Sequence, residues 1–472
     1  GVMYGDIGHG LCVLFAGLYL LKNEKANDSA KLSEIQEGLH IGRYMLTMMG
    51  FFAVYAGFLY NDMFSLGLNL FGTRWQFEGQ KYGNVTDQAT ATLIYDYGSD
   101  ESVYPFGLDP MWHLASNELL FFNSFKMKLS VIIGITQMFM GTCLKGLNDI
   151  YFGEKLNFFF EFLPMVTFAV SLFVYMVFLI FYKWSIDWNS RMLSATCIKP
   201  DSDAWGTSDY KEGEWILCDN TGDGTCTPWG YSCTGNDNTA TKCPLNFGGS
   251  GDGCQPPNLI TTLINIALQP GTVDEPMYKG QATVQIILLL VAFLSVPVLL
   301  FAKPCILSMQ MARTERNNNR SQHGQETTGE YEQIHTLQDT DTIDDDHETH
   351  SFGETLIHQA IETIEFVLGM ISNTASYLRL WALSLAHSEL AQVFWQKAML
   401  TTINMNFLAT YFGYAVFAGI TFAVLLMMDV LECFLHALRL QWVEFQNKFF
   451  KADGVQFQPC SFRNVILEHA SR

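Results

Sequence analysis

The chain has 472 residues, of which 49% are hydrophobic and only 16% are charged. Soluble domains carry about 25% charged residues, so this composition belongs to a membrane protein and excludes an ordinary soluble enzyme. The formal net charge of −20 sits largely in polar inserts, and its sign argues against nucleic acid as a partner.

Seven apolar segments are candidates to cross a bilayer, which takes ~20 residues: 8–22, 44–60, 129–147, 156–182, 282–303, 356–400 and 407–441. The sequence therefore predicts an all-α, polytopic membrane protein. Gly1 opens straight into Val2-Met3-Tyr4-Gly5-Asp6 with no charged leader, which reads as a piece whose natural N-terminus lies upstream. Residues 1–60 hold the first membrane helices, 61–128 a polar loop, and 129–182 a helical hairpin. A second polar loop covers 183–281, and one membrane helix follows at 282–303. Residues 304–355 are acidic and poor in apolar side chains, with Asp344-Asp345-Asp346 inside, which predicts a disordered loop. The last two segments, within 356–448, are too long for upright spans and must tilt or extend beyond the bilayer. Residues 449–472 form a tail.

Basic residues set the orientation. Lys22, Lys25, Lys31 and Arg43 fall after the first span, and Lys145 and Lys155 flank the next short loop on that side. Lys303, Arg313, Arg316 and Arg320, then Lys448, Lys451 and Arg463, fall on the same side again. The positive-inside rule makes that side cytoplasmic. Residues 61–128 and 183–281 are then luminal. The first contains Asn84-Val85-Thr86, a candidate glycosylation acceptor. The second contains Cys197, Cys218, Cys226, Cys233, Cys243 and Cys254. An even cysteine cluster in a luminal loop suggests disulfides, of connectivity the sequence leaves open. The other readings are a reduced loop or a metal site, although no CxxC pair is present.

The chemistry concentrates in the last two segments. Glu365, Ser372 and Arg379 are seven residues apart, and seven helical steps of ~100° return within about 20° of the start, placing them on one face. On a rise of ~1.5 Å per residue, Glu365 lies about 21 Å from Arg379 towards the cytoplasm, and His387 about 12 Å beyond it towards the lumen. Glu389 follows two residues later. Asp429, Glu432, His436 and Arg439 recur at helical spacing in the seventh segment and form a second polar stripe. Ionisable groups in a span cost about 2.5–3.5 kcal/mol each on insertion scales. One reading is buried ion pairs that hold two helices in register. The other is a proton path. Carboxylates and imidazoles exchange protons, whereas arginine stays charged even when buried and interrupts a proton wire.

Several runs carry a resemblance. Thr374-Ala375-Ser376-Tyr377-Leu378-Arg379-Leu380-Trp381-Ala382-Leu383-Ser384-Leu385-Ala386-His387 closely resembles the signature helix of the vacuolar-type ATPase subunit a family. So do Gly5-Asp6-Ile7-Gly8-His9-Gly10, Tyr60-Asn61-Asp62, Asn123-Ser124-Phe125-Lys126-Met127-Lys128 and Leu435-His436-Ala437-Leu438-Arg439-Leu440-Gln441-Trp442-Val443-Glu444. The resemblance implies a stator subunit of a rotary proton pump, with eight membrane helices behind an N-terminal cytoplasmic domain. Its two long tilted helices would face a ring of proteolipid subunits, each with an essential glutamate, and other membrane-sector subunits would surround it. The soluble ATP-hydrolysing sector would attach through that N-terminal domain. Arg379 would draw the ring glutamate's carboxylate into its ionised form and block backflow. Glu365 matches the acid at the cytoplasmic mouth, His387 a polar residue of the luminal exit, and Arg439 a second arginine near Arg379. Asp429 stands where the family usually has glutamate, Glu432 where it has a small residue, and Glu389 where it has glutamine. No cofactor is implied, and the location would be an acidic organelle such as a vacuole, lysosome, endosome, Golgi or contractile vacuole.

Two other functions compete. A proton-coupled secondary transporter predicts inverted repeats and broken helices at the midplane; no repeat is evident, and the last two segments lack proline. A structural anchor predicts that Arg379 is dispensable. The chain carries no GxxxxGK[ST] phosphate loop, so any ATP hydrolysis must occur on another subunit.

Overall fold

A computed structural model describes residues 1–24, 34–72, 75–77, 93–95, 104–115, 118–188, 196–198, 215–217, 241–242, 256–273, 275–323, 352–403, 405–451, 461 and 466. The described chain is helical through all its apolar segments. In order, the main helices are α1 (Ile7–Lys22), α2 (Glu34–Ile41), α3 (Arg43–Tyr60), α4 (Glu118–Phe152), α5 (Lys155–Ser185) and α6 (Leu259–Leu268). They continue as α7 (Gln281–His323), α8 (Phe352–Ser376), α9 (Leu378–Phe394) and α10 (Phe407–Lys448). Outside the spans, β1 (Trp75–Phe77) pairs antiparallel with β2 (Leu93–Tyr95). β3 (Thr196–Ile198) pairs with β4 (Trp215–Leu217) and with β5 (Thr241–Lys242).

Among the described residues, four helices are long and apolar enough to cross a membrane: α4, α5, the Gln281–Gln310 part of α7, and α10. Their polarity is inverted relative to a soluble protein. Phe293 and Leu294 on α7 and Phe407, Leu408 and Phe412 on α10 are exposed, whereas Asp6, His9 and Glu161 are almost completely buried. Lipid rewards that arrangement, because only buried polar groups find partners there.

Three boundaries differ from those read in the sequence. α4 begins at Glu118, eleven residues before the hydropathy run at 129, because Phe121, Phe122 and Phe125 keep an apolar face through its polar start. α7 runs on to His323, so residues 304–323 are helical and not part of a disordered loop; arginine, glutamine and methionine propagate a helix without an apolar run. The segment 356–400 is interrupted at Tyr377, between α8 and α9. There the Leu380 amide bonds the Tyr377 carbonyl three residues back. The seven-residue arithmetic linking Ser372 to Arg379 thus crosses a one-residue break. Asn84, Cys218, Cys226, Cys233, Cys243 and Cys254 lie outside the described residues, and of Cys197 only the backbone is described.

Two compact units partition the chain, Gly1–Gly134 with Ser372–Asn447, and Ile135–Ile371 with Lys448–Arg472. In the first unit α1 and α3 lie against each other through small residues. A Cβ on Gly50 would sit 2.5 Å from the Leu14 amide nitrogen, and one on Gly57 would strike the Ile7 nitrogen and lie 2.7 Å from the Asp6 carbonyl carbon. Such close approach of backbones is how helices associate without a hydrophobic driving force. Because these neighbours are backbone atoms, they cannot swing away. Gly57→Val should lower the stability of the assembled protein by about 1–3 kcal/mol, read as a drop in its thermal denaturation midpoint in detergent.

In the second unit a buried charge cluster ties helices together. Glu161 on α5 is fully buried and accepts from Lys145 of α4 on one oxygen and from Lys303 of α7, at 2.8 Å, on the other. Lys145 also reaches Glu362 of α8 at 3.4 Å.

Candidate functional site

The first unit gathers its ionisable groups around the start of α1. Asp6 is the N-cap residue of that helix, with an extended backbone (φ −144°, ψ 134°). Its Oδ1 accepts from the amides of Gly8 at 2.7 Å, His9 at 3.2 Å and Phe64 at 3.3 Å. Capping explains the residue type, since the first amides of a helix need an acceptor. Oδ2 is left with no hydrogen bond; it lies 3.0 Å from His9 Nδ1.

His9 is 1% exposed. Its ring stands edge-on to Phe64 at 4.9 Å and to His387 at 5.2 Å between centroids. His387 comes from α9 and is itself buried. Its Nδ1 lies 2.8 Å from Asp429 Oδ2 on α10. A carboxylate only accepts, so this bond fixes the proton on Nδ1. Tyr4 closes the group: its ring centroid is 4.5 Å from that of His387, and its hydroxyl donates to the Leu425 carbonyl at 2.9 Å. Leu425 lies in a π-helical stretch, Thr421–Met428, that ends where Asp429 begins. Such stretches are rare and concentrate at functional sites. Asp6, His9, His387 and Asp429 thus form a row with a carboxylate at each end and two imidazoles between them.

A second polar recess lies in the same unit, lined by Tyr60, Asp62, His113, Glu118, Lys126 and Glu389 among others. Burial pushes the Asp62 carboxyl up, helped by the charge of Asp6 and opposed by His113, Lys126 and His387, to about 6. Burial alone would lower the His113 imidazole, but the hydrogen bond it donates to Glu118 at 3.0 Å and the charge of Asp62 outweigh it and raise it. Lys126 is buried too. It donates to Ser388 Oγ at 3.0 Å and to the Ser384 carbonyl at 3.3 Å, and stands over the Tyr60 ring at 4.9 Å. The cation–π contact offsets part of the cost of burying that charge.

Arg379 opens α9, eight residues before His387. It is half-buried, and its Nη1 is buried with no hydrogen-bond partner. The carboxylate of Glu444, itself 2% exposed, lies within the fields of both Arg379 and Arg439. Arg439 is exposed, as is Ser372. Glu432 is also exposed, and it pairs with His436 at 3.6 Å and not with His387. The stripe read on the last helix therefore divides: Asp429 turns to the buried row, and Glu432 and His436 pair with each other. Glu365 is exposed in the second unit.

Asp6, His9, Asp62, Lys126 and Glu444 were missed as site residues, although each lies in a run that carried the family resemblance. Their signal was ionisable side chains beside glycine- and aromatic-rich helix ends.

Such a site and fold define a helical membrane protein built around proton-exchanging groups. Residues 1–200 and 245–462 match the pattern of the V-type ATPase 116kDa subunit family, and the chain belongs to that family. It is 36% identical over 479 residues to the vacuolar proton translocating ATPase 100 kDa subunit of Dictyostelium discoideum, covering 99% of this chain and 48% of that protein. Against V-type proton ATPase 116 kDa subunit a 1 of Mus musculus the identity is 37% over 482 residues, 98% of this chain and 50% of the relative. Against V-type proton ATPase subunit a3 of Arabidopsis thaliana it is 36% over 466 residues, 98% and 47%. The chain spans about half the length of the curated relatives it matches. With its apolar helices, membership makes it an integral membrane protein.

Proposed function

We propose that this chain is the membrane half of the stator subunit of a vacuolar-type rotary proton pump, working in a complex with other subunits of that pump. The observation that carries this reading is a half-buried arginine without a partner for Nη1, on the helix that also delivers His387 to a buried row of proton-exchanging groups. In this reading Asp429, His387, His9 and Asp6 release protons to the lumen. Glu365 admits them from the cytoplasm, and Arg379 receives the ionised carboxylate of each passing proteolipid of a rotating ring. α9 and α10 tilt along that ring, and almost the whole apolar length of α10 is left uncovered by this chain, as a helix facing lipid or a ring would be. The soluble sector supplies the ATP hydrolysis, the cysteine-rich loop is luminal, and the pump serves an acidic organelle.

A proton path asks two things of its groups. Each must exchange a proton, and each must be held within reach of the next. The 2.8 Å and 3.0 Å approaches supply this at the two ends of the row, and between them the His9 and His387 rings stand edge-on at 5.2 Å between centroids. A purely structural anchor would have paired Arg379 instead, because an unpaired buried cation is costly.

The test is ATP-driven acidification by reconstituted complex. Asp429→Asn should reduce the rate by about tenfold or more, within the range general acid–base groups contribute, with assembly unchanged. Asp429→Glu should restore it, and Glu432→Gln should stay within about twofold of wild type, since Glu432 does not reach His387. Normal pumping by Asp429→Asn would sink the assignment of the luminal path.

A further inference from the structure

We infer that Asp6, His9 and His387 form a zinc-binding site that, when filled, arrests proton release. The inference rests on the luminal path proposed above for its consequence, but not for the binding itself. One ligand atom from each of the three residues lies within 4.8 Å of the others, and all three side chains are buried. Small rotations would close them on one ion, whose bonds to nitrogen and oxygen are about 2.0–2.2 Å.

The contact between Asp6 and His9 points the same way. Oδ2 and Nδ1 form a buried ion pair at 3.0 Å, and neither has another partner. Two ligand atoms buried this close together are spaced as neighbouring ligands of a common ion are. Tetrahedral coordination at those bond lengths puts ligand atoms roughly 3.3 Å apart. Oδ1 of Asp6, meanwhile, is fully occupied by three backbone amides, so the carboxylate is fixed with Oδ2 on offer.

His387 is prepared in the way metal-binding histidines usually are. Its Nδ1–H donates to the Asp429 carboxylate at 2.8 Å, which leaves Nε2 as a bare lone pair, and Nε2 is buried without a partner. A carboxylate behind an imidazole fixes its tautomer and orientation and raises its basicity as a ligand. The rings of Tyr4 and Phe64 wall the site, an apolar shell that strengthens binding of a charged ion to charged and lone-pair ligands. Two imidazoles and one carboxylate suit Zn2+, with a fourth position left for water. They do not suit Mg2+ or Ca2+, which prefer oxygen ligands. An ion held there would occupy three of the four groups of the row at once and place a fixed charge in it.

The experiment uses the assembled complex in detergent and in proteoliposomes, with ZnCl2 as the probe and MgCl2 as its control. Retained zinc is counted after dialysis, and its coordination is read by X-ray absorption. Wild type should retain one zinc per stator chain that His9→Gln loses, with nitrogen and oxygen neighbours and two imidazoles. Zinc should inhibit acidification reversibly on chelation. Asp429→Asn should weaken zinc binding about 10–100-fold by releasing His387. Equal zinc content in wild type and His9→Gln would overturn the site. Zinc retention is read on Arg379→Lys complex as well, where a pumping defect leaves binding intact. Normal pumping by that variant would defeat the functional reading alone, and loss of zinc selectivity over magnesium would defeat this one alone.

Discussion

Complex carrying Arg379→Lys will assemble and bind its partners normally, yet acidify vesicles at less than a tenth of the wild-type rate. The reason lies in what each cation does when water is withdrawn. Arginine keeps its proton at any accessible pH, whereas a buried lysine readily gives its proton up. Arg379 is half-buried, with Nη1 enclosed and unpartnered, and it stands between Glu365 and the His387 row along the chain. A lysine there would retain the charge in water but lose its permanence. It would either relay protons, and so leak, or sit neutral and fail to hold an arriving carboxylate. Lysine also lacks the planar fork that grips a carboxylate through two bonds. Glu444 sharpens the point. Its buried Oε2 has no hydrogen bond and lies in the fields of Arg379 and Arg439, so the guanidinium already has a carboxylate in range that does not neutralise it by direct pairing. Measuring acidification, ATP hydrolysis and subunit composition on one preparation separates outcomes. Acidification near the wild-type rate would make Arg379 structural and remove the central step of the proposed mechanism.

Much of the helical frame was legible because apolar runs of span length have few alternatives in a chain with 16% charged residues. Less legible were the ends. Residues 118–128 and 304–323 are helical without being uniformly apolar, so hydropathy stopped short of them. The break at Tyr377 was invisible for the opposite reason: the residue has no breaker chemistry, and the interruption is one residue long. In the site, Arg379, His387 and Asp429 were legible because ionisable groups stand out in apolar helices. Their partners were not. Asp6 and His387 are 381 positions apart, and nothing in periodicity says that a capping carboxylate on α1 will meet a histidine on α9. Glu432 shows the converse limit. Helical spacing put it on one stripe with Asp429, yet the structure turns one to the buried row and leaves the other paired with His436.

The same blindness to long-range pairing hid Glu161, whose replacement should have the largest effect on stability of any in the second unit. Lys145 was read as a loop cation and Glu161 not at all, because the pair and Lys303 meet only after α4, α5 and α7 have packed. Glu161 is fully buried and holds both ammonium groups, one on each oxygen. Glu362, the other carboxylate in reach of Lys145, is 26% exposed and 3.4 Å away. Glu161→Gln removes the shared counter-charge while keeping the volume. It leaves two cations facing each other across a site that water scarcely reaches, and breaking a buried pair in this way costs about 3–5 kcal/mol. That is a large fraction of the 5–15 kcal/mol that ordinarily holds a domain together, so the variant should give little assembled complex and a markedly lower denaturation temperature. The triple substitution Lys145→Met, Glu161→Leu, Lys303→Met removes all the charges together and should recover most of the loss, since well-packed apolar residues replace a buried ion cluster at little or no cost. If the triple variant is stable and pumps normally, the cluster only ties helices. If it is stable and does not pump, protons cross the second unit through Glu161, and the path is longer than the one proposed.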